Sequence, residues 1–242
     1  TPMVSVLCGT NSYMLDAELH RRIHSYKAKH GDMNLEFCDG DETSYDAILA
    51  AATTLPFLAD ARLVVVRSFT ANKQLLENIE TFVAQADGDT DVLLVDSKVD
   101  KRTAWYKFVS KKTDFTEFTP LDARGLERWV VSEVSERGGT IQGPDARMLI
   151  ERVGGDQQFL SNELNKLLAY DAAITSQTIA LLCDPVPQST IFMMIESLFN
   201  GQLKQALTLY EDQRRQRVEP QAMMGMIAWQ MHLVALAKAA GS

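Results

Sequence analysis

Gly9 follows the apolar run Val4-Ser5-Val6-Leu7-Cys8 and opens the turn Gly9-Thr10-Asn11-Ser12-Tyr13-Met14-Leu15-Asp16. A strand, a glycine and then a helix is the setting of a phosphate-binding loop. There, backbone N–H groups cradle phosphate and a lysine meets the β- and γ-charges. Here the second glycine and the lysine are missing: the first lysine is Lys27, and Asp16 stands where phosphate would be repelled. The turn therefore reads as a plain strand–turn–helix. Val92-Leu93-Leu94-Val95-Asp96 has the form of a strand ending on a Mg²⁺-holding carboxylate. Ser97 follows it instead of a glutamate, and apolar strands ending in Asp are common. Without the lysine, this strand points at most to a nucleotide-binding ancestry that has lost its chemistry.

His20 and His24 are four apart on one helix, a spacing that can bind a metal. No acidic residue completes the motif, and Arg21 and Arg22 disfavour a cation, so a solvated face is the reading. His30 and His232 are isolated, and no Ser–His–Asp set or G-x-S-x-G elbow is apparent. Cys8, Cys38 and Cys183 are odd in number and widely spaced, with no C-x-x-C. That argues against a disulfide framework or a zinc site and fits a reducing cytoplasm. Cys8 and Cys38 read as core thiols. Leu55-Pro56-Phe57-Leu58-Ala59-Asp60 lies between a helix and the strongest strand. Pro56 ends the helix, which leaves Phe57 and Leu58 in a short connector. They are either tucked into the core, the commoner fate, or offered to a partner. In a partner's pocket each would contribute about 1.5–3 kcal/mol. Lys98, Lys101, Arg102, Lys107, Lys111 and Lys112 form a candidate DNA-facing patch, diluted by Asp96, Asp100 and Asp114. A charge run of this kind is usually a solvated face. Arg214, Arg215 and Arg217 read as a helix C-terminal cluster that favours the dipole.

The elements that must position these residues alternate over the first ~120 positions. Strands are expected at 4–8, 35–39, 62–67, 91–96 and 115–118. The Val64-Val65-Val66 run is the clearest of them, being β-branched. Helices are expected at about 12–30, 44–53, 72–86 and 101–112. Apolar strands alternating with helices imply a mostly parallel α/β sheet covered on both faces, with right-handed crossovers. From about Asp122 no strand is legible. Helices are expected from Leu126 to Val134, from Pro144 to Val153, over 157–170 and over 176–183. Asp184-Pro185-Val186-Pro187 reads as a linker. Helices at about 190–200, 202–216 and 220–240 follow. A helix pair plus one long helix makes a poor closed bundle, so this segment is expected to need a partner or further chain.

The chain has 242 residues, 24 basic and 32 acidic, for a net charge of −8. Residues 1–122 carry 13 basic and 19 acidic groups, and only residues 185–242 are slightly basic, at 5 against 4. This argues against a protein that grips nucleic acid through its overall field. No apolar run is long enough for a membrane span, and no signal peptide is legible. A cytoplasmic protein without membrane partners is the expectation.

In order and spacing these stretches resemble the delta subunit of bacterial DNA polymerase III, a clamp-loader component. Leu7-Cys8-Gly9-Thr10-Asn11-Ser12-Tyr13-Met14-Leu15 looks like that family's opening strand and Gly-x-Asp-x-Tyr-Leu turn, with Asn11 departing from the usual acid. Thr54 to Val66 looks like its Leu-Pro-aromatic-Phe-Ala-Asp-Arg segment, with Leu58 in place of phenylalanine and Ala61 in place of a frequent arginine. Asp100-Lys101-Arg102 with Trp105 and Lys107, then Asn162-Glu163-Leu164 with Lys166-Leu167, are similar to later family segments. Ile191-Phe192, Gly201 and Ala206-Leu207 look like the start of its third domain.

The resemblance implies an AAA+-like (RecA-type) clamp-binding domain without a P-loop at 1–121. It also implies a helical lid-like domain at 122–184 and the start of a helical collar at 185–242. It further implies a subunit without catalysis or cofactor of its own, working within a DNA polymerase holoenzyme. Its partners would be the sliding clamp, ATPase subunits and a delta-prime-type subunit, with primed DNA held through the complex. Phe57 and Leu58 would be the clamp-opening wedge, supported by Leu55, and Lys98, Lys101 and Arg102 the DNA-facing positions. The alternatives are an active AAA+ or other P-loop ATPase, and a nucleic-acid-binding adaptor of a repair or replication complex.

Overall fold

The computed structural model describes residues 4–86, 90–98, 100–185, 187–215 and 217–240. The chain divides into two compact units, residues 1–121 and 122–242.

The first unit is built on five parallel strands: β1 (Val4–Cys8), β2 (Leu35–Asp39), β3 (Arg62–Arg67), β4 (Thr90–Asp96) and β5 (Asp114–Glu117). Their order across the sheet is β2-β3-β4-β1-β5. The step from β1 to β2 crosses the sheet in one direction, and every later step runs the other way. Right-handed crossovers must then put the first helix on one face and the rest on the opposite face. The cores agree. Leu7, Leu63, Val65, Leu93 and Val95 pack with Leu15, Leu19 and Tyr26 of α1 (Ser12–His30). Alternate residues Val4, Val6, Val64, Val66, Val92 and Leu94 point the other way. They meet Ile48 of α2 (Tyr45–Thr53), Leu75 of α3 (Lys73–Glu77), Phe82 of α4 (Ile79–Gln85), and Trp105 and Val109 of α5 (Ala104–Lys112). Burial on both faces is why β3 and β4 read as unbroken apolar runs.

The helix expected over 72–86 is two helices joined at Asn78, preceded by a 3₁₀ turn at Phe69–Ala71. Asn78 closes α3 through N–H donation to the Gln74 carbonyl at 3.0 Å, and its side-chain amide donates to the same oxygen at 2.9 Å. Asparagine competes with the helix ladder in this way, so a continuous apolar period conceals the break.

The second unit contains α6 (Ala123–Glu136), α7 (Gly143–Val153), α8 (Gln157–Tyr170), α9 (Ser176–Leu182), α10 (Pro187–Phe199), α11 (Leu203–Arg215) and α12 (Pro220–Ala240). Side-chain caps start several of them: Asp122 accepts from Gly125 N, Asp156 from Phe159 N, and Thr175 forms a reciprocal pair with Thr178. Strands do occur here, contrary to the sequence reading: β6 (Thr140–Ile141) pairs in parallel with β7 (Ala173–Ile174). Two residues are too few to show an alternation. Helices α10–α12 share a small core of Ile191, Met194, Ala206 and Met223. Leu198, Phe199, Leu203, Leu207, Met224, Trp229 and Leu236 remain exposed around it. Val186 of the expected linker lies outside the described residues.

Candidate functional site

A doubly covered parallel sheet offers its ligand crevice at the carboxyl ends of the strands, where the crossover direction reverses. Here that place lies between β1 and β4. The sequence puts Gly9 and Asp96 in it, and both are occupied by the protein's own backbone. Gly9 N donates to the Asp96 carbonyl at 3.2 Å, Asn11 N to the Phe118 carbonyl at 3.0 Å, and Phe118 N to the Cys8 carbonyl at 2.7 Å. Gly9 has φ +126°, and a Cβ there would sit 2.1 Å from the Phe118 carbonyl oxygen. Only glycine allows this approach. Asn11 is buried; its Oδ1 caps α1 through Met14 N at 3.1 Å, and its amide donates to the Thr119 carbonyl at 3.3 Å. The Asp96 carboxylate accepts from Thr70 N (3.0 Å), Thr70 Oγ1 (2.5 Å) and Lys98 N (2.8 Å). The Gly9 and Asn11 amides thus bind protein carbonyls, and the carboxylate organises the turns after β3 and β4.

The opposite, amino end of β3 is arranged differently. The connector 54–61 carries Leu55, Phe57 and Leu58 at 73%, 64% and 88% exposure. Of the two fates open to these side chains, exposure is the one observed. The backbone beneath them is held at three points. Thr90 Oγ1 donates to the Thr54 carbonyl at 2.9 Å. The Asn34 side chain accepts from Phe57 N at 2.7 Å and donates to the Phe57 carbonyl at 2.9 Å. Tyr26 donates its hydroxyl to the Ala61 carbonyl at 2.9 Å, sharing it with the Asn34 carbonyl at 3.3 Å. Burial pushes the Tyr26 phenol up. Leu58 has φ +53°, a left-handed conformation that costs a leucine about 1–2 kcal/mol. Tyr26 is legible from sequence only as part of an apolar helix face, and Asn34 and Thr90 carry no motif. Their roles depend on contacts 23 to 36 residues away in the chain.

The remaining candidates are placed as follows. Lys101 pairs with Glu117 at 2.8 Å, and Arg102 forks onto Asp100 at 3.0 and 3.1 Å. The Lys101 ammonium holds the Glu117 carboxyl below its usual range. His20 Nδ1 lies 2.7 Å from the Asp16 carbonyl. Cys8, Cys38 and Cys183 are buried free thiols. Burial, reinforced by nearby carboxylates, pushes Cys8 and Cys183 up to about 12, far from thiolate reactivity at neutral pH. Among the described residues no helix is long and apolar enough to cross a membrane.

Comparison with known proteins identifies the family. Residues 6–119 match the family described as DNA polymerase III, delta subunit, and residues 188–241 match the family described as its C-terminal domain. The chain belongs to the DNA polymerase III delta-subunit family. Across 246 aligned residues it is 26% identical to DNA polymerase III subunit delta of Bacillus subtilis, covering 96% of this chain and 71% of that protein. The solved Bacillus subtilis DNA clamp loader delta protein matches at 25% identity with a TM-score of 0.70, over 96% of this chain and 73% of the other. A fainter likeness, TM-score 0.42 at 13% identity over 80% of this chain and 68% of the other, is to the Thermotoga maritima RuvB Holliday junction branch migration motor. It is too slight to carry weight. The chain is thus a bacterial clamp-loader delta subunit of the DNA polymerase III holoenzyme, acting in DNA replication. Its first unit has the expected α/β fold, a parallel sheet covered by helices on both faces.

Proposed function

We propose that this delta subunit binds the sliding clamp by inserting Phe57 and Leu58, flanked by Leu55, into an apolar pocket on the ring. In doing so it favours the opened clamp for loading onto primed DNA. The observation that carries this is the exposure of three large apolar side chains on a loop whose backbone is fixed at both ends and in the middle. Burial of two such anchors supplies about 3–6 kcal/mol. Only the part of it realised in the opened ring shifts the clamp's equilibrium.

The delta subunit holds no nucleotide and catalyses nothing itself in this reading. Supporting this are the missing lysine and the engagement of the Gly9 and Asn11 amides with Asp96 and Phe118. ATP hydrolysis enters through the ATPase subunits, which it joins along with a delta-prime-type subunit. Residues 122–184 serve as a lid-like domain and 185–242 as the start of the collar that meets those subunits, in keeping with the separate small core of α10–α12. DNA is held mainly by the rest of the complex. Lys98, Lys101 and Arg102 are the positions of this chain assigned to it, and the cytoplasm is its compartment.

The test is calorimetric titration of the sliding clamp from the same organism, with the Phe57→Ala/Leu58→Ala double variant as control. Binding that the double variant weakens by about a hundredfold or more supports the wedge, and equal binding by both rejects it. Micromolar Mg–ATP binding by the isolated chain would reject the nucleotide-free reading.

A further inference from the structure

Met33 is apolar, 76% exposed, and lies in the turn between α1 and β2. Its neighbour Asn34 is only 2% exposed. The buried Asn34 amide spans to the other loop, taking the Phe57 N–H at 2.7 Å and giving a hydrogen to the Phe57 carbonyl at 2.9 Å. Only one orientation of an asparagine amide satisfies both bonds, so the pairing is matched in sense as well as distance. The Asn34 carbonyl accepts from Leu63 N at 2.9 Å, and the Tyr26 hydroxyl bridges it to the Ala61 carbonyl. The turn carrying Met33 and the loop carrying Leu55, Phe57 and Leu58 are therefore one hydrogen-bonded body.

Resting on the wedge reading, we propose that the docking surface comprises both loops. Met33 is a further apolar anchor for the clamp, and Asn34 is the positioning residue that fixes Phe57 for insertion. A methionine suits this place, because its flexible thioether adapts to the contour of a partner's pocket rim. Asn34 acts before contact: a loop already held in its bound shape loses less conformational freedom on docking. It also holds the backbone one residue before Leu58, whose left-handed conformation is unfavourable without such a restraint.

The test uses the full chain, the sliding clamp from the same organism and three changes: Met33→Ser, Asn34→Ala, and Asn34→Ala combined with Phe57→Ala/Leu58→Ala. Expected are a three- to tenfold loss of affinity for Met33→Ser and about tenfold for Asn34→Ala. Asn34→Ala should add nothing further once the wedge side chains are gone. Amide hydrogen exchange supplies a readout that simple destabilisation would not reproduce. In Asn34→Ala the Phe57 amide should lose protection while the Val64–Val66 amides of β3 keep theirs. Unchanged affinity for Met33→Ser overturns the second anchor. Unchanged Phe57 protection, or an equal loss from Asn34→Ala in both backgrounds, overturns the positioning role. A wild-type chain with no affinity for the clamp is a separate result: it overturns the wedge reading itself, and the two-loop surface with it.

Discussion

At the carboxyl ends of the strands the loops close on one another, whereas at the amino end of β3 the loop is tied down along its base and open at its tip. Gly9 N donates to the Asp96 carbonyl across the crevice, Phe118 after β5 bonds Cys8 and Asn11, and Thr70 and Lys98 satisfy the Asp96 carboxylate. At the other end Thr90, Asn34 and Tyr26 bind only backbone carbonyls and one backbone N–H. The side chains of Leu55, Phe57 and Leu58 are left to solvent. Three large apolar groups exposed over an anchored backbone are what the proposed docking to a partner requires. The same sheet thus has one end where loops bond to one another and one where a fixed loop leaves its apolar side chains exposed.

The sharpest way to break this contrast is to remove the exposed tip. Phe57→Ala/Leu58→Ala should weaken clamp binding by roughly two to four orders of magnitude, from two anchors at about 1.5–3 kcal/mol each. Its unfolding free energy should stay within about 1 kcal/mol of wild type, since exposed side chains hold little of the fold. Titration calorimetry and urea unfolding measure the two quantities. A large stability loss would show that these side chains pack internally in solution.

The closed end makes the reverse prediction. Gly9→Ala puts a Cβ against the Phe118 carbonyl at a φ of +126°. It should cost about 2–4 kcal/mol of stability while leaving clamp affinity unchanged. Urea midpoints read the first effect and calorimetry the second. If affinity fell tenfold as well, the two ends would be coupled and the contrast would fail.

How much of this arrangement is legible in the sequence depends on the distance over which each feature is decided. The β3 and β4 strands and the α1 face announce themselves through local apolar spacing, because both faces of the sheet are buried. The absence of a phosphate-loop lysine after Gly9 is equally local. The exposure of Phe57 and Leu58 is not. An apolar pair after a proline fits a core as well as a surface, and only the tertiary bonds from Asn34, Tyr26 and Thr90 decide between them. The break at Asn78 and the two-residue pair β6–β7 fall below the length at which periodicity carries information.

A finer test asks whether the open tip is strained. Leu58→Gly removes the left-handed penalty of about 1–2 kcal/mol but adds about 0.5–1 kcal/mol of backbone entropy cost. Net stability should therefore rise by about 0–1.5 kcal/mol, read from the urea midpoint. Clamp affinity should fall by the contribution of one anchor, so that stability and binding move in opposite directions at a single residue.

The smallest expected effect concerns α1, which touches both ends: Asn11 caps its start and Tyr26 holds the docking loop. Glu18 sits between them, held down to about 2 by hydrogen bonds from Arg21, then from Arg22. Arg22 also reaches Asp114 at the start of β5 at 3.0 Å. A carboxylate depressed in the folded state adds stability that is fully present above its ordinary value of 4.5 and is lost as pH falls through about 2. Glu18→Gln should therefore lower stability at pH 7 by only about 0.2–1 kcal/mol, because the Arg21 partner is largely exposed. The gap to wild type should narrow steadily between about pH 5 and 2 in acid-unfolding curves. Clamp affinity at pH 7 should change less than about twofold, since these ion pairs fix α1 on the sheet while Asn34, Tyr26 and Thr90 fix the loop. A larger change would mean that the seating of α1 controls the open end, and that the hydrogen bonds at the base of the loop are insufficient to hold it alone.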